Sequence, residues 1–251
     1  MLNVTPHGSE GAIWNSGAGM AADGGGNILL LLGNGVFDTT LNASGFPVNG
    51  DYGNAFLRLT TKGGLAVADY FEMDNEASEN GSDADLGSGG TLLVTQRDST
   101  SKVWQLAVGP GKDSNLYVVD RTNMGKFNSA SNNIYQELAG VLPGGIWSMP
   151  AFFNGFVYCG PVGSPILAFQ FKNAKLLTSA VTRTSNAFGY PGATQASHRT
   201  PGRMRLCGRQ KIPTLLCCMP TMRRPWSSCT TLIKRPTGAI ILGRETNSSR
   251  R

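Results

Sequence analysis

Ala107-Val108-Gly109-Pro110-Gly111-Lys112-Asp113-Ser114-Asn115-Leu116-Tyr117-Val118-Val119-Asp120-Arg121 sets an apolar run, a glycine- and proline-rich turn and a second apolar run in fifteen residues. β-branched and aromatic residues between Gly, Pro, Asn and Asp clusters are the signature of strand, tight turn and strand. The same grammar extends outward in both directions. It predicts strands at Gly26–Leu32, Ala55–Leu59, Ala66–Phe71, Thr91–Thr95, Trp104–Val108, Leu116–Asp120, Ser148–Phe152, Phe156–Cys159 and Ile166–Phe171. Glycine junctions such as Gly87-Ser88-Gly89-Gly90 and Gly144-Gly145 supply the positive φ that turns between them require. No apolar stripe of helical period runs longer than about ten residues. The fold class expected is all-β.

Repetition narrows this class. Ile13-Trp14-Asn15-Ser16, with Gly26-Asn27-Ile28-Leu29 and Gly33-Asn34-Gly35 behind it, returns as Ile146-Trp147-Ser148-Met149-Pro150-Ala151, with Asn154-Gly155-Phe156-Val157-Tyr158 and Gly160. A companion unit, Ala55–Gly63, returns at Asn115–Thr122 and at Ile166–Phe171. Units of about four strands at such a period fit propeller blades. Three to four four-stranded antiparallel blades are therefore expected, with Leu57, Tyr117, Val119, Tyr158 and Phe169 buried.

These blade units, and in particular 107–121 and Pro150–Tyr158, resemble the repeat of pyrroloquinoline-quinone-like (quinoprotein) β-propellers, in a bacterial, exported branch. The resemblance implies a propeller fragment that lacks N-terminal blades, and a periplasmic or extracellular location. It also implies PQQ and calcium as the family's cofactors, although no catalytic residue and no cofactor-binding residue is assignable here. Asp120 and Thr122 resemble the aspartate and threonine that tie neighbouring blades in the family's Trp-docking repeat, but no Trp follows them.

Composition limits the chemistry. The chain has 251 residues, 33 of them glycine, and only two histidines, His7 and His198, so neither a His-rich metal site nor a Ser-His-Asp triad is expected. No apolar run is long enough to span a membrane as a helix. No basic, apolar and small-residue order marks a signal peptide at the N-terminus. Asp74, Glu76, Glu79, Asp83 and Asp85 crowd one segment of hard oxygen donors, and Asp74, Asp83 and Asp85 are the calcium candidates, without the spacing of an EF-hand. Gly17-Ala18-Gly19-Met20-Ala21-Ala22 matches a dinucleotide fingerprint, but Asp23-Gly24-Gly25-Gly26 leaves no helix to hold pyrophosphate. Gly109–Asp113 lacks the Ser or Thr of a phosphate loop and reads as a turn. Cys159 reads as a small core residue.

The charge is divided sharply. Residues 1–194 carry a net −5 and residues 195–251 a net +11, with four of the five cysteines in the second part. A basic tail has a phosphate-binding reading. An out-of-frame reading fits its residues better. A −1 shift from Thr194 onward forces no stop codon and restores strand-like text, AIVWAA and AVLHAYDA. Met219 before Pro220 then forces alanine, and Cys207 before Gly208 allows only Trp or Arg. The domains expected are blades over 1–194 and a poorly ordered, basic, cysteine-containing tail over 195–251, with no specific nucleic-acid partner. In that frame Cys217-Cys218 is not the vicinal disulfide of quinoprotein dehydrogenases.

Three functions remain open at this point. One is a scaffold or binding module, with a protein partner at the propeller faces or an open sheet edge. The second is a fragment of a PQQ-dependent dehydrogenase whose catalytic blades are missing. The third is a basic nucleic-acid binder that depends on the tail.

Overall fold

The computed structural model describes residues 1–17, 19–200, 203–209, 215–218 and 229–232, and from residue 197 onward the backbone alone. The first sheet runs β1 (Ala21–Ala22), β2 (Asn27–Leu31), β3 (Phe56–Thr60) and β4 (Ala66–Phe71). After a short helix, α1 (Glu76–Gly81), and a 3₁₀ turn at Leu86–Ser88, the second runs β5 (Leu92–Arg97), β6 (Val103–Pro110), β7 (Leu116–Asp120) and β8 (Gln136–Leu138). The third contains β9 (Ala151–Phe153), β10 (Phe156–Cys159), β11 (Ser164–Lys172) and β12 (Lys175–Leu176), with β13 (Thr182–Phe188) also on β11. The fourth contains β14 (Thr194–Thr200), β15 (Arg203–Arg209), β16 (Leu215–Cys218) and β17 (Cys229–Leu232). Every pairing within these sheets is antiparallel between sequence neighbours, apart from the added β11–β13 pair. The expected all-β blade architecture is present.

Period-2 alternation explains how the sheets stack, since successive side chains of a strand point to opposite faces. On β2 and β3, Leu29, Leu31 and Phe56 pack with Ala107, Tyr117 and Val119 of the second sheet. The alternate residues of that sheet, Leu106, Val108, Leu116 and Val118, pack with Val157, Cys159, Phe169 and Phe171 of the third. Tyr158, Ile166 and Ala168 then face Phe188 and Ala193. Leu57, Tyr117, Val119, Tyr158 and Phe169 are all buried, as the alternation predicts. Cys159 is likewise buried in the core, and burial pushes its thiol pKa well up, which keeps it inert.

Side-chain hydrogen bonds repeat from blade to blade. Ser88 Oγ donates to the Ile146 carbonyl at 2.8 Å, and Ser148 Oγ donates to the Ala193 carbonyl at 2.9 Å. At the outer edges each blade is stitched to the next. Lys126 N–H donates to the Tyr70 carbonyl on β4, while Gln136 on β8 exchanges two bonds with the Leu176 backbone. These stitches cover edges that would otherwise template aggregation.

The change of composition at 194 falls at the start of β14. Thr194 opens β14, and Gln195 is buried with its Nε2 donating to the Met149 and Tyr158 carbonyls. The expectation of a coreless tail and the reading of Cys217-Cys218 fall on side chains outside the described residues. Among the described residues, no helix is long and apolar enough to cross a membrane.

Two substitutions test the packing, one within the second blade and one between blades. A Cβ on Gly89 would sit 1.8 Å from the Pro110 carbonyl oxygen, so Gly89→Ala forces backbone to move and costs at least about 1–3 kcal/mol. Phe169→Ala opens a cavity between the second and third sheets and costs about 3–5 kcal/mol. Urea denaturation measures both, and a loss below about 1 kcal/mol at Phe169 is incompatible with this packing.

Candidate functional site at one end of the blades

Backbone hydrogen bonds draw the ends of the first three blades together. Lys112 N–H donates to the Asp85 carbonyl, Ile146 N–H to the Gly111 carbonyl and Val162 N–H to the Gly145 carbonyl, all within 3.1 Å. Close approach at Gly111 requires glycine, because a Cβ there would lie 2.6 Å from the Asp85 carbonyl oxygen. The turn read at Gly109–Asp113 therefore places Lys112 against the loop that follows α1.

Lys112 Nζ lies 2.6 Å from both Asp83 Oδ1 and Asp85 Oδ1. Asp85 is 1% exposed and its other oxygen accepts the Ser88 amide, whereas Asp83 is 74% exposed and accepts Asn34 Nδ2 at 2.9 Å. Burial opposes the Lys112 charge, but the two carboxylates outweigh it and hold the pKa above the usual lysine value. The Trp14 ring centroid is 5.2 Å from the same ammonium.

A second group of acids lies in the adjoining segments. Glu72, just past β4, is fully buried, and neither of its oxygens has a partner of good geometry. Burial first, then the neighbouring Glu76 carboxylate, raise its pKa well above the usual value, and the Met73 amide does not offset them. Burial likewise pushes Asp113 up to about 6, against the hydrogen bond from Tyr117 Oη at 2.6 Å and with the Glu79 charge adding to the rise. Both groups are therefore held toward their neutral form.

The calcium candidates divide. Asp83 and Asp85 converge, but on an ammonium, and Asp74 is exposed, with its amide donating to Asn132. Among the described residues no three His, Cys, Asp or Glu side chains are grouped to hold a metal ion. In the dinucleotide-like stretch, Ala21–Ala22 form a strand and no helix follows, which agrees with a glycine-rich blade strand.

Asp120 Oδ1 accepts the Thr122 amide and hydroxyl, a turn-local pair and not a tie between blades. Sequence reading missed the same device at Asp98. There the carboxylate accepts the Thr100 amide and hydroxyl, the Lys102 amide and, at 2.9 Å, Trp104 Nε1. The Asp-x-Thr spacing common to both was the signal available. Arg121 makes the tie between blades, paired with Asp23 at 3.5 Å while its carbonyl accepts Arg58 Nη1.

Aromatic rings line the same end. Trp14 is 52% exposed, and Trp147, its counterpart in the repeat, stacks edge-on against Tyr190, which is 72% exposed. Gly17 brings the loop after Trp14 up to Thr194 and Ser148, and Gly145 brings the loop before Trp147 up to Lys112. One surface thus carries indole faces beside a carboxylate–ammonium cluster.

No protein-family model matches the sequence, and no curated protein matches it. Among solved structures, the chain is similar to the quinohemoprotein alcohol dehydrogenase of Comamonas testosteroni, at 14% identity and a TM-score of 0.51, over 84% of this chain and 39% of that one. It is also similar to a chain of the mitotic checkpoint complex, at 7% identity and a TM-score of 0.46, over 87% of this chain and 52% of that one. The chain thus spans about two fifths and about half of their lengths. The likeness to the dehydrogenase supports a propeller-like fold and nothing of its chemistry.

Lys112→Met leaves Asp85 buried without its counter-charge and costs about 3–5 kcal/mol, whereas Asp83→Asn, at the exposed partner, costs about 1 kcal/mol or less. Equal losses in chemical denaturation contradict this assignment. For pH, the folded state holds protons on Glu72 and Asp113 that the unfolded chain releases near its ordinary carboxylate values of 4.5 and 3.8. Their contribution is therefore fully present below those values and is lost as pH rises through the raised folded-state values, about 6 for Asp113 and well above the ordinary carboxylate value for Glu72. Thermal melts from pH 4 to 8 should show the decline, and Glu72→Gln should flatten it. An unchanged slope in that variant contradicts the role given to Glu72.

Proposed function

We propose that this chain is a β-propeller-like scaffold that binds a polypeptide partner at the end of the blades where Trp14, Lys112, Trp147 and Tyr190 lie. The observation that carries the reading is the pair Trp14 and Trp147, at equivalent positions of the repeat on one surface, the first 52% exposed and the second partly buried beside the exposed Tyr190. Tryptophan and tyrosine with one face free are the residue types that anchor protein interfaces. Asp83 and the Lys112 ammonium beside them supply charge that selects among partners more than it adds affinity.

A second reading, a piece of a PQQ-dependent dehydrogenase, is supported by the blade repeat and by the fold shared with the alcohol dehydrogenase. It would place the chain in the periplasm or outside the cell.

Two measurements separate the readings. The chain supplied with quinone and calcium should reduce no dye when offered alcohols or sugars, and turnover would favour the dehydrogenase. Peptides selected from a displayed library on the immobilised chain should lose at least about tenfold in affinity to the Trp14→Ala and Trp147→Ala variants. Binders indifferent to both substitutions would remove this surface as the partner site.

A further inference from the structure

The far face of the first sheet is buried, and among the described residues no other sheet packs on it. Leu30, Leu57, Leu59 and Tyr70 are between 0 and 4% exposed on that side. In a stack of blades such a face packs on a neighbouring blade, as the other faces here do. Instead it carries the N-terminal segment and the connection between β2 and β3. Leu2, Val4, Phe37, Phe46 and Tyr52 join its core, and Phe127 reaches it around the sheet edge.

The cover has its own internal order. The Tyr52 amide donates to the Val4 carbonyl, Val36 to Ser9 and Gly53 to Val36, at 2.8 to 3.1 Å. Asp51, buried, accepts the His7 and Gly8 amides on one oxygen. The rings of Phe37, Phe46 and Tyr52 stand 5.3 to 5.9 Å from that of Tyr70, whose hydroxyl donates to the Gly45 carbonyl at 2.8 Å. Bridges at Phe37–Tyr52 and Leu41–Pro47 close the connection into a hairpin. It lies on the sheet through rings and not as a further β-ladder.

We propose that residues 2–9 and 36–53 form a strap that takes the place of a blade on this face, and that in doing so it prevents face-to-face association of two copies of the chain through the first sheet. A second sheet cannot reach Leu30, Leu57 and Tyr70 while the strap is seated. An unstrapped face would be a contiguous apolar surface, the kind of patch through which a second copy associates. This inference is independent of the partner surface at the blade ends.

The test uses the full chain. Phe37→Ser with Tyr52→Ser should loosen the strap. Sedimentation across about a tenfold range of concentration should then show dimers or larger species at concentrations where the parent chain does not enlarge. Adding Val67→Lys, which places a charge on the bared face, should reverse the association. Unaltered mass in the double variant, or association that Val67→Lys leaves intact, overturns the proposal. Should the double variant not fold, hydrogen exchange on the parent chain decides. The Val36, Tyr52 and Gly53 amides should open at least about tenfold more often than those of Leu57 and Leu59. Exchange of both groups in one cooperative unit would make the strap part of the sheet core and overturn the proposal.

Discussion

Among the described residues, each of the first three sheets has two apolar faces, and the helix α1 buries no residue that could cover one. That constraint governs the rest. A two-faced apolar sheet is stable only between two other layers, so the blades stack face to face in chain order. The stack demands close approach, which is why small residues stand where large ones would clash. Gly109 on β6 leaves room for the Phe56 and Leu31 side chains of the first sheet, both closer than 3 Å to where a Cβ would stand. The same requirement explains the strap: the face at the first sheet needs a cover, and Phe37, Phe46 and Tyr52 provide it.

With the faces occupied, the ends of the blades carry the chemistry. Loops from successive blades meet there, bringing polar groups of different blades into contact. Lys112 resolves one conflict by sharing its ammonium between Asp83 and Asp85. Glu72 and Asp113 have no such partner, and burial favours their neutral forms. Charge at this end is thus fixed by burial and proximity together, beside the Trp14 indole, which remains half in solvent, and the partly buried Trp147.

Eight of the nine strands expected from the sequence occur in place, Ala66–Phe71, Leu116–Asp120 and Phe156–Cys159 with those bounds, whereas the one expected at Ser148–Phe152 is confined to Ala151–Phe153 because Ser148 to Pro150 are not in a strand. Their legibility comes from burial on both faces, which demands apolar residues at nearly every position. The strands β1, β8 and β12 were not legible because they are two or three residues long and owe their pairing to a neighbour's backbone. The exposed helix α1 has no apolar stripe to betray it. The strap was hidden for a related reason: Phe37, Phe46 and Tyr52 are isolated among Gly, Asn, Asp and Pro and read as loop. At the site, the turn holding Lys112 was visible as a turn. Its partners Asp83 and Asp85 lie 29 and 27 positions away and were read as donors for a cation, without sight of the ammonium that meets them.

The face-to-face stacking of the first two blades is tested most directly by a nuclear Overhauser measurement between the Phe56 ring and the Gly109 α-protons. A strong cross-peak is predicted, since the Phe56 Cε1 atom lies 2.8 Å from the space a Gly109 Cβ would fill. Assigned resonances at both residues with no cross-peak between them would contradict the stacked-blade account.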